Sequence, residues 1–124
     1  MMAESSYTLM KRKGKRMTLK EVNTALKSID GFSTKVAYRA WPVGKAPKLP
    51  FICYLATQTD NFDADNTVYH VLQGVDVELY TAKKDIDTEE LVEAKFKELN
   101  IVWDKYEEWL DSENCYEIIY SFTL

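Results

Sequence analysis

Residues 49–81 hold two strongly patterned β segments joined by a polar loop, and the remaining predicted elements serve to cover and extend this stretch. Phe51, Cys53 and Leu55 fall on one side and Ile52, Tyr54 and Ala56 on the other, with little polarity on either. That pattern predicts a strand over residues 51–59 with both faces covered, as in an inner strand or one at an interface. A second alternation runs over residues 67–81. Val68, His70 and Leu72 oppose Tyr69 and Val71, then Val75, Val77 and Leu79 oppose Asp76, Glu78 and Tyr80. The apolar side changes parity at Gln73-Gly74, which predicts one long strand with a bulge there, or alternatively a tight hairpin turn. Residues 60–66 between the two strands are polar and acidic and read as a loop.

Helices flank this core. Thr18-Leu19-Lys20-Glu21 fits a capping box, in which the Thr hydroxyl and the Glu carboxylate each take a free amide at the helix start. Leu19, Val22, Leu26 and Ile29 then recur at helical spacing, and Gly31 suits a left-handed stop, so a helix is expected over residues 19–30. Val36, Tyr38 and Ala40 predict a strand within residues 34–41. Prolines 42, 47 and 50 with Gly44 then break regular structure. A second helix opens at Asp87-Thr88-Glu89-Glu90, carries Val92, Phe96 and Leu99 with Leu91 alongside, and stops at Asn100. Residues 101–110 suit a strand or a helix. Residues 115–124 place Tyr116, Ile118, Tyr120, Phe122 and Leu124 on one side, a half-buried strand. The order α-β-β-β-α-β-β predicts an α+β fold: a mainly antiparallel sheet of four to five strands packed against two helices.

Composition bounds this picture. A chain of 124 residues, 46% of them hydrophobic, supports one core, so residues 18–124 are expected to form one domain and residues 1–17 a flexible basic arm. A net charge of -4 argues against general nucleic-acid affinity. Lys11, Arg12, Lys13, Lys15 and Arg16 are the exception, an electrostatic segment suited to an acidic surface or to nucleic acid. No apolar run reaches the length of a membrane span, and the N-terminal charges are followed by no secretory apolar segment. Cys53 and Cys115 match no metal spacing. They read as reduced thiols of a cytoplasmic protein, with a disulfide between them as the alternative.

Catalytic chemistry finds little to build on. His70 is the only histidine, lies inside a predicted strand, and is joined by no recognisable nucleophile turn. The isolated glycines make no phosphate loop. Asp60, Asp63 and Asp65 invite a calcium reading, but starting such a loop at Asp63 puts Val68 where glycine belongs and Gly74 where the bidentate Glu belongs. No enzyme, cofactor or metal is expected. Interfaces are the better prospect. Trp41, Pro42 and Pro47 sit in the proline-rich loop, and Asp60, Asn61, Phe62, Asp63, Asp65 and Asn66 in the acidic one. Trp103 and Trp109 either join them at a surface or complete the core.

The words LPFICYL, DNFDADN, VYH and VELYTAKKD, followed by the closing YEIIYSF, carry a resemblance. Over residues 18–124 the chain resembles the tail-completion, or tail-terminator, proteins of long-tailed bacteriophages and prophages of Gram-positive bacteria. The resemblance implies a structural protein of the virion, made in the host cytoplasm, which caps the tail tube as a ring, usually a hexamer. Its implied partners are itself, the tail tube protein and the head connector. It carries no catalytic residues over. A neighbouring head-tail connector or minor tail protein is the alternative, with a host cytosolic adaptor behind it.

Overall fold

The computed structural model describes residues 17–64 and 68–124, with side chains described outside 60–71. Helix α1 spans Leu19–Lys27, strand β1 Val36–Tyr38, β2 Phe51–Ala64, β3 Val68–Thr81, helix α2 Ile86–Glu98, β4 Asp104–Leu110 and β5 Cys115–Thr123. The strands form one sheet in the order β1-β2-β3-β5-β4. The fold is α+β, with the element order the sequence predicts. All strand pairs are antiparallel except β1 with β2, which run parallel with Val36 opposite Ile52.

Local chemistry explains the boundaries. The Thr18 amide donates to Glu21 Oε1 at 2.8 Å while the Glu21 amide donates to Thr18 Oγ1 at 3.2 Å, closing the capping box. Helix α1 stops at Lys27, one turn short of the expected end, because Ser28 caps it. Gly31, at φ 87°, instead turns the following segment so that Ile29 and Phe32 are buried. Helix α2 starts earlier than expected: Asp85, not Asp87, accepts from the Thr88 amide at 3.1 Å. Asn100 ends it as expected, in the left-handed region at φ 59°. The Ile101 and Asn100 amides return to the carbonyls of Phe96 and Lys97, a Schellman closure.

Two strands depart from their predicted extent. The strand expected over residues 34–41 keeps only Val36–Tyr38, since Arg39 turns out of the sheet at φ 67°. In contrast, β2 runs on through residues whose polarity predicts a loop. Asp60, Asn61, Phe62, Asp63 and Ala64 pair with Leu72, Val71, His70, Tyr69 and Val68. The ambiguous segment before Leu110 is a strand over Asp104–Leu110.

One core lies between helices and sheet. Val22 and Leu26 of α1, Val92 and Phe96 of α2, and Ile52, Val77, Leu79, Ile118 and Tyr120 of the sheet are all at most 2% exposed. Tyr54 is 7% exposed because its hydroxyl reaches out to donate to Asn23 Oδ1 of α1 at 3.1 Å. Phe96 anchors the centre, its ring centroid 5.3 Å from those of Tyr120 and Phe122 and 5.6 Å from that of Trp103. Trp103 is therefore partly buried and packs against the core. Leu91, expected beside the apolar stripe, is 45% exposed. Met17, grouped with the arm from sequence, is 6% exposed and joins this core.

Candidate functional site

The helices cover one face of the sheet and leave the other open. Lys105 and Glu107 of β4 point to the helix side, where they pair with Glu89 and Glu93 of α2 and with Lys84. Their neighbours Asp104, Tyr106 and Glu108 must then point to the open side, by the alternation of a strand. Strand register assembles three rungs there. Phe51, Tyr80, Glu117 and Glu108 lie across the sheet in one rung. Cys53, Glu78, Ile119 and Tyr106 form the next, and Leu55, Asp76, Ser121 and Asp104 the third.

The middle of this face is both acidic and partly dry. Tyr80 stands with its hydroxyl 3.0 Å from Glu78 Oε1 and 3.0 Å from Glu117 Oε2. A phenol has one proton to donate, so satisfying both contacts requires one carboxyl to carry a proton and donate it to the phenolic oxygen. The electrostatics run the same way. Burial pushes the Glu78 carboxyl above its ordinary value, and the Tyr80 hydrogen bond only partly offsets that and the repulsion from Glu117 and Asp76. Glu117 is raised likewise, by burial first, then by Glu108 and Asp76. Burial also pushes the Cys53 thiol up to about 11, with the two glutamates adding to the effect. Such a thiol is the reverse of an activated nucleophile. Cys53 and Cys115 are both free and buried, so no disulfide joins them.

Where β2 meets the open face, its register slips. Ala56 pairs with Val75 and Thr59 with Gln73, leaving Thr57 and Gln58 opposite the single residue Gly74. The irregularity expected at Gly74 is thus present, but the extra residue belongs to β2, and β3 is continuous. Glycine is required: a Cβ at 74 would collide with Thr57 Oγ1 and stand 3.0 Å from the Gln58 carbonyl. Gln73 Nε2 bridges the bulge, donating to the Gly74 carbonyl at 2.9 Å and the Thr57 carbonyl at 3.3 Å. A shallow polar depression opens beside it, lined by Thr57, Gln58, Asp76, Asp104 and Ser121. Ser121 Oγ and Asp76 Oδ1 are 2.6 Å apart within it.

Beyond the bulge, β2 and β3 continue as a ribbon of two strands. Among the described residues β1 accompanies β2 only over Ile52 to Tyr54, and β5 accompanies β3 only from Gly74 onward. The Tyr38 hydroxyl accepts from the Ala56 amide at 3.1 Å, closing the edge just before the ribbon leaves the sheet.

No protein-family model matches this chain, and no curated protein matches it in sequence.

The residues singled out from sequence fall in three places. Trp41 is half-buried at the rim of the open face, edge-on to Phe51 at 6.1 Å, and Phe51 in turn lies 5.2 Å from Tyr80. Pro42 is exposed and accepts from the Lys45 amide in a turn, and Pro47 is half-buried. Asp60, Asn61, Phe62 and Asp63 lie in the β2 half of the ribbon rather than in a loop. Asp65, Asn66, Lys11, Arg12, Lys13, Lys15 and Arg16 lie outside the described residues. The sequence reading missed Glu78, Tyr80 and Glu117. Their only signal was a carboxylate or phenol on the polar side of two predicted strands, with the register between those strands unknown. Among the described residues no three metal-ligating side chains come together, and no helix is long and apolar enough to cross a membrane.

Proposed function

We propose that this chain is a structural subunit of a long-tailed bacteriophage or prophage that caps the tail tube as a ring and forms part of the head-tail joint. The observation that supports the reading is the two-stranded ribbon beyond Gly74. A hairpin alone is marginally stable in water, and its strand edges invite pairing with another chain. In a ring, each neighbour supplies that cover. Residues 60–64 of the word DNFDADN, and the word VYH, which carry part of the resemblance to tail-completion proteins, fall in this ribbon. The loop from Trp41 to Pro50 borders the open face and is the second contact of the proposed ring.

Deleting the gene from a phage or induced prophage and viewing the lysate by negative-stain microscopy tests the reading. Full heads beside separate tails of irregular or excessive length are the expected outcome. Separate tails of normal length would move the protein to the head side of the joint, as a connector. Intact infectious particles would overturn a virion role and leave the host adaptor.

A further inference from the structure

The five basic residues 11–16 have no counterpart in the reading above, and the open sheet face has no cover among the described residues. We infer that the basic N-terminal segment of one copy seats on the open face of a neighbouring copy, pairing Lys11, Arg12, Lys13, Lys15 and Arg16 with Asp76, Glu78, Asp104, Glu108 and Glu117. This rests on the subunit assembling with itself, and on nothing else in the tail reading.

Charge is the first argument. The three rungs of the face carry five carboxylates, and Arg39 at the rim is the cation that reaches Glu78. Lys84, Lys95 and Lys105 are already engaged with Glu107, Glu89, Glu98 and Glu93 elsewhere. The face also suits long basic side chains in its apolar part. Phe51, Leu55, Ile119 and Tyr106 alternate with the carboxylates, so the stems of lysine and arginine would cover apolar surface while their heads pair.

Geometry decides which copy supplies the segment. Met17 is buried in the core between helices and sheet, on the side opposite the acidic face. Arg16 and Lys15 precede it, about 4 and 7 Å of extended chain away. Met17 thus fixes the end of the segment on the helix side of its own subunit. A neighbouring copy whose open face meets that side offers all five cations one acidic face without a path around the sheet edge. The contact is therefore head-to-tail, the helix-side N-terminus of one subunit against the open face of the next, and a head-to-tail contact is the kind that closes into rings.

The test uses the full chain, mixed in equal parts as unlabelled and nitrogen-15-labelled protein and joined by a zero-length carbodiimide, which links a lysine amine to a carboxylate. Mass spectrometry of the linked peptides reads both sites and the isotope of each. The expected result is links from Lys11, Lys13 or Lys15 to Asp76, Asp104, Glu108 or Glu117, with mixed-isotope pairs as frequent as same-isotope pairs. They should vanish when all five basic residues are changed to Glu, a variant whose thermal unfolding should match the original. Same-isotope links alone would place the segment on its own subunit, and absence of arm-to-face links would remove the contact; either overturns the inference. DNA retardation lost in the reversed variant, without such links, would assign the segment to nucleic acid and overturn it too. Mixed-isotope links in a protein dispensable for virions would remove only the tail reading, and lost joining without links only the contact.

Discussion

Glu89 shows how a buried charge is made tolerable here. Its side chain is 3% exposed on α2, yet Lys105 Nζ lies 2.8 Å from Oε1 and Lys84 Nζ 2.8 Å from Oε2. Burial pushes its carboxyl up, but the hydrogen bonds and charges of Lys105 and Lys84 outweigh that and hold it below 4.5. A folded value below the unfolded one means stability present above that pH and lost as pH falls through the folded value. Glu89→Gln should cost about 1–3 kcal/mol at pH 7 by urea unfolding, the range for disrupting a buried charged hydrogen bond, and should flatten the acid limb. Glu78 and Glu117 have the opposite sign. Both are raised above 4.5, so the folded state takes up protons in the window above that value, and lowering the pH through the window stabilises the fold. Glu117→Gln keeps the shape and removes one of the repelling charges. It should raise stability at pH 7, with the gain disappearing as the pH approaches 4.5; an unchanged difference across that range would contradict a raised Glu117 carboxyl.

At the scale of elements, the bulge and the ribbon can be separated by mutation. Gly74→Ala meets Thr57 and the Gln58 carbonyl, and forcing the added methyl in should cost about 1–3 kcal/mol, as overpacking does, read as a lower denaturation midpoint. Replacing residues 60–72 by Asn-Gly joins Thr59 to Gln73, which already face each other, through a turn suited to a two-residue hairpin. None of the described core residues lies in the replaced segment, so thermal unfolding should move little while the ring formation proposed above is lost. Here the limits of sequence reading have a physical cause. Both helices were legible because capping groups and apolar spacing act within a few residues of each other. The reach of β2 was not, because Asp60, Asn61 and Asp63 offer no apolar alternation to mark a strand, and only their pairing with Leu72, Val71 and Tyr69 of β3 reveals one. The parallel pairing of β1 was hidden by its brevity. As for the site, Tyr80 and Glu117 are 37 positions apart, and only the register of β3 against β5 makes them neighbours.

At the scale of the molecule, the two faces of the sheet do different work. One is sealed by helices around Phe96. The other combines buried atoms with open access, since Cys53 is 4% exposed while Tyr106 in the same rung is 57% exposed. With its thiol pushed up to about 11, Cys53 should have on the order of a hundredfold fewer thiolates at neutral pH than an ordinary cysteine. Disulfide-exchange reagents should label it slowly in the native chain and rapidly after unfolding. If the proposed ring forms, slower labelling in it than in the monomer would mark the open face as covered; equal rates would leave it outside the interface.

The slip of Thr57 and Gln58 against Gly74 also acts as a ratchet pin. A regular ladder can slide by two residues and restore every pair, but a ladder with one uneven rung has a single fit. The reach of the ribbon is thereby metered from a fixed mark. Two residues added to each strand past that mark would lengthen it by about 7 Å and leave the core untouched, so the span it bridges is a dimension that insertion can tune separately from stability.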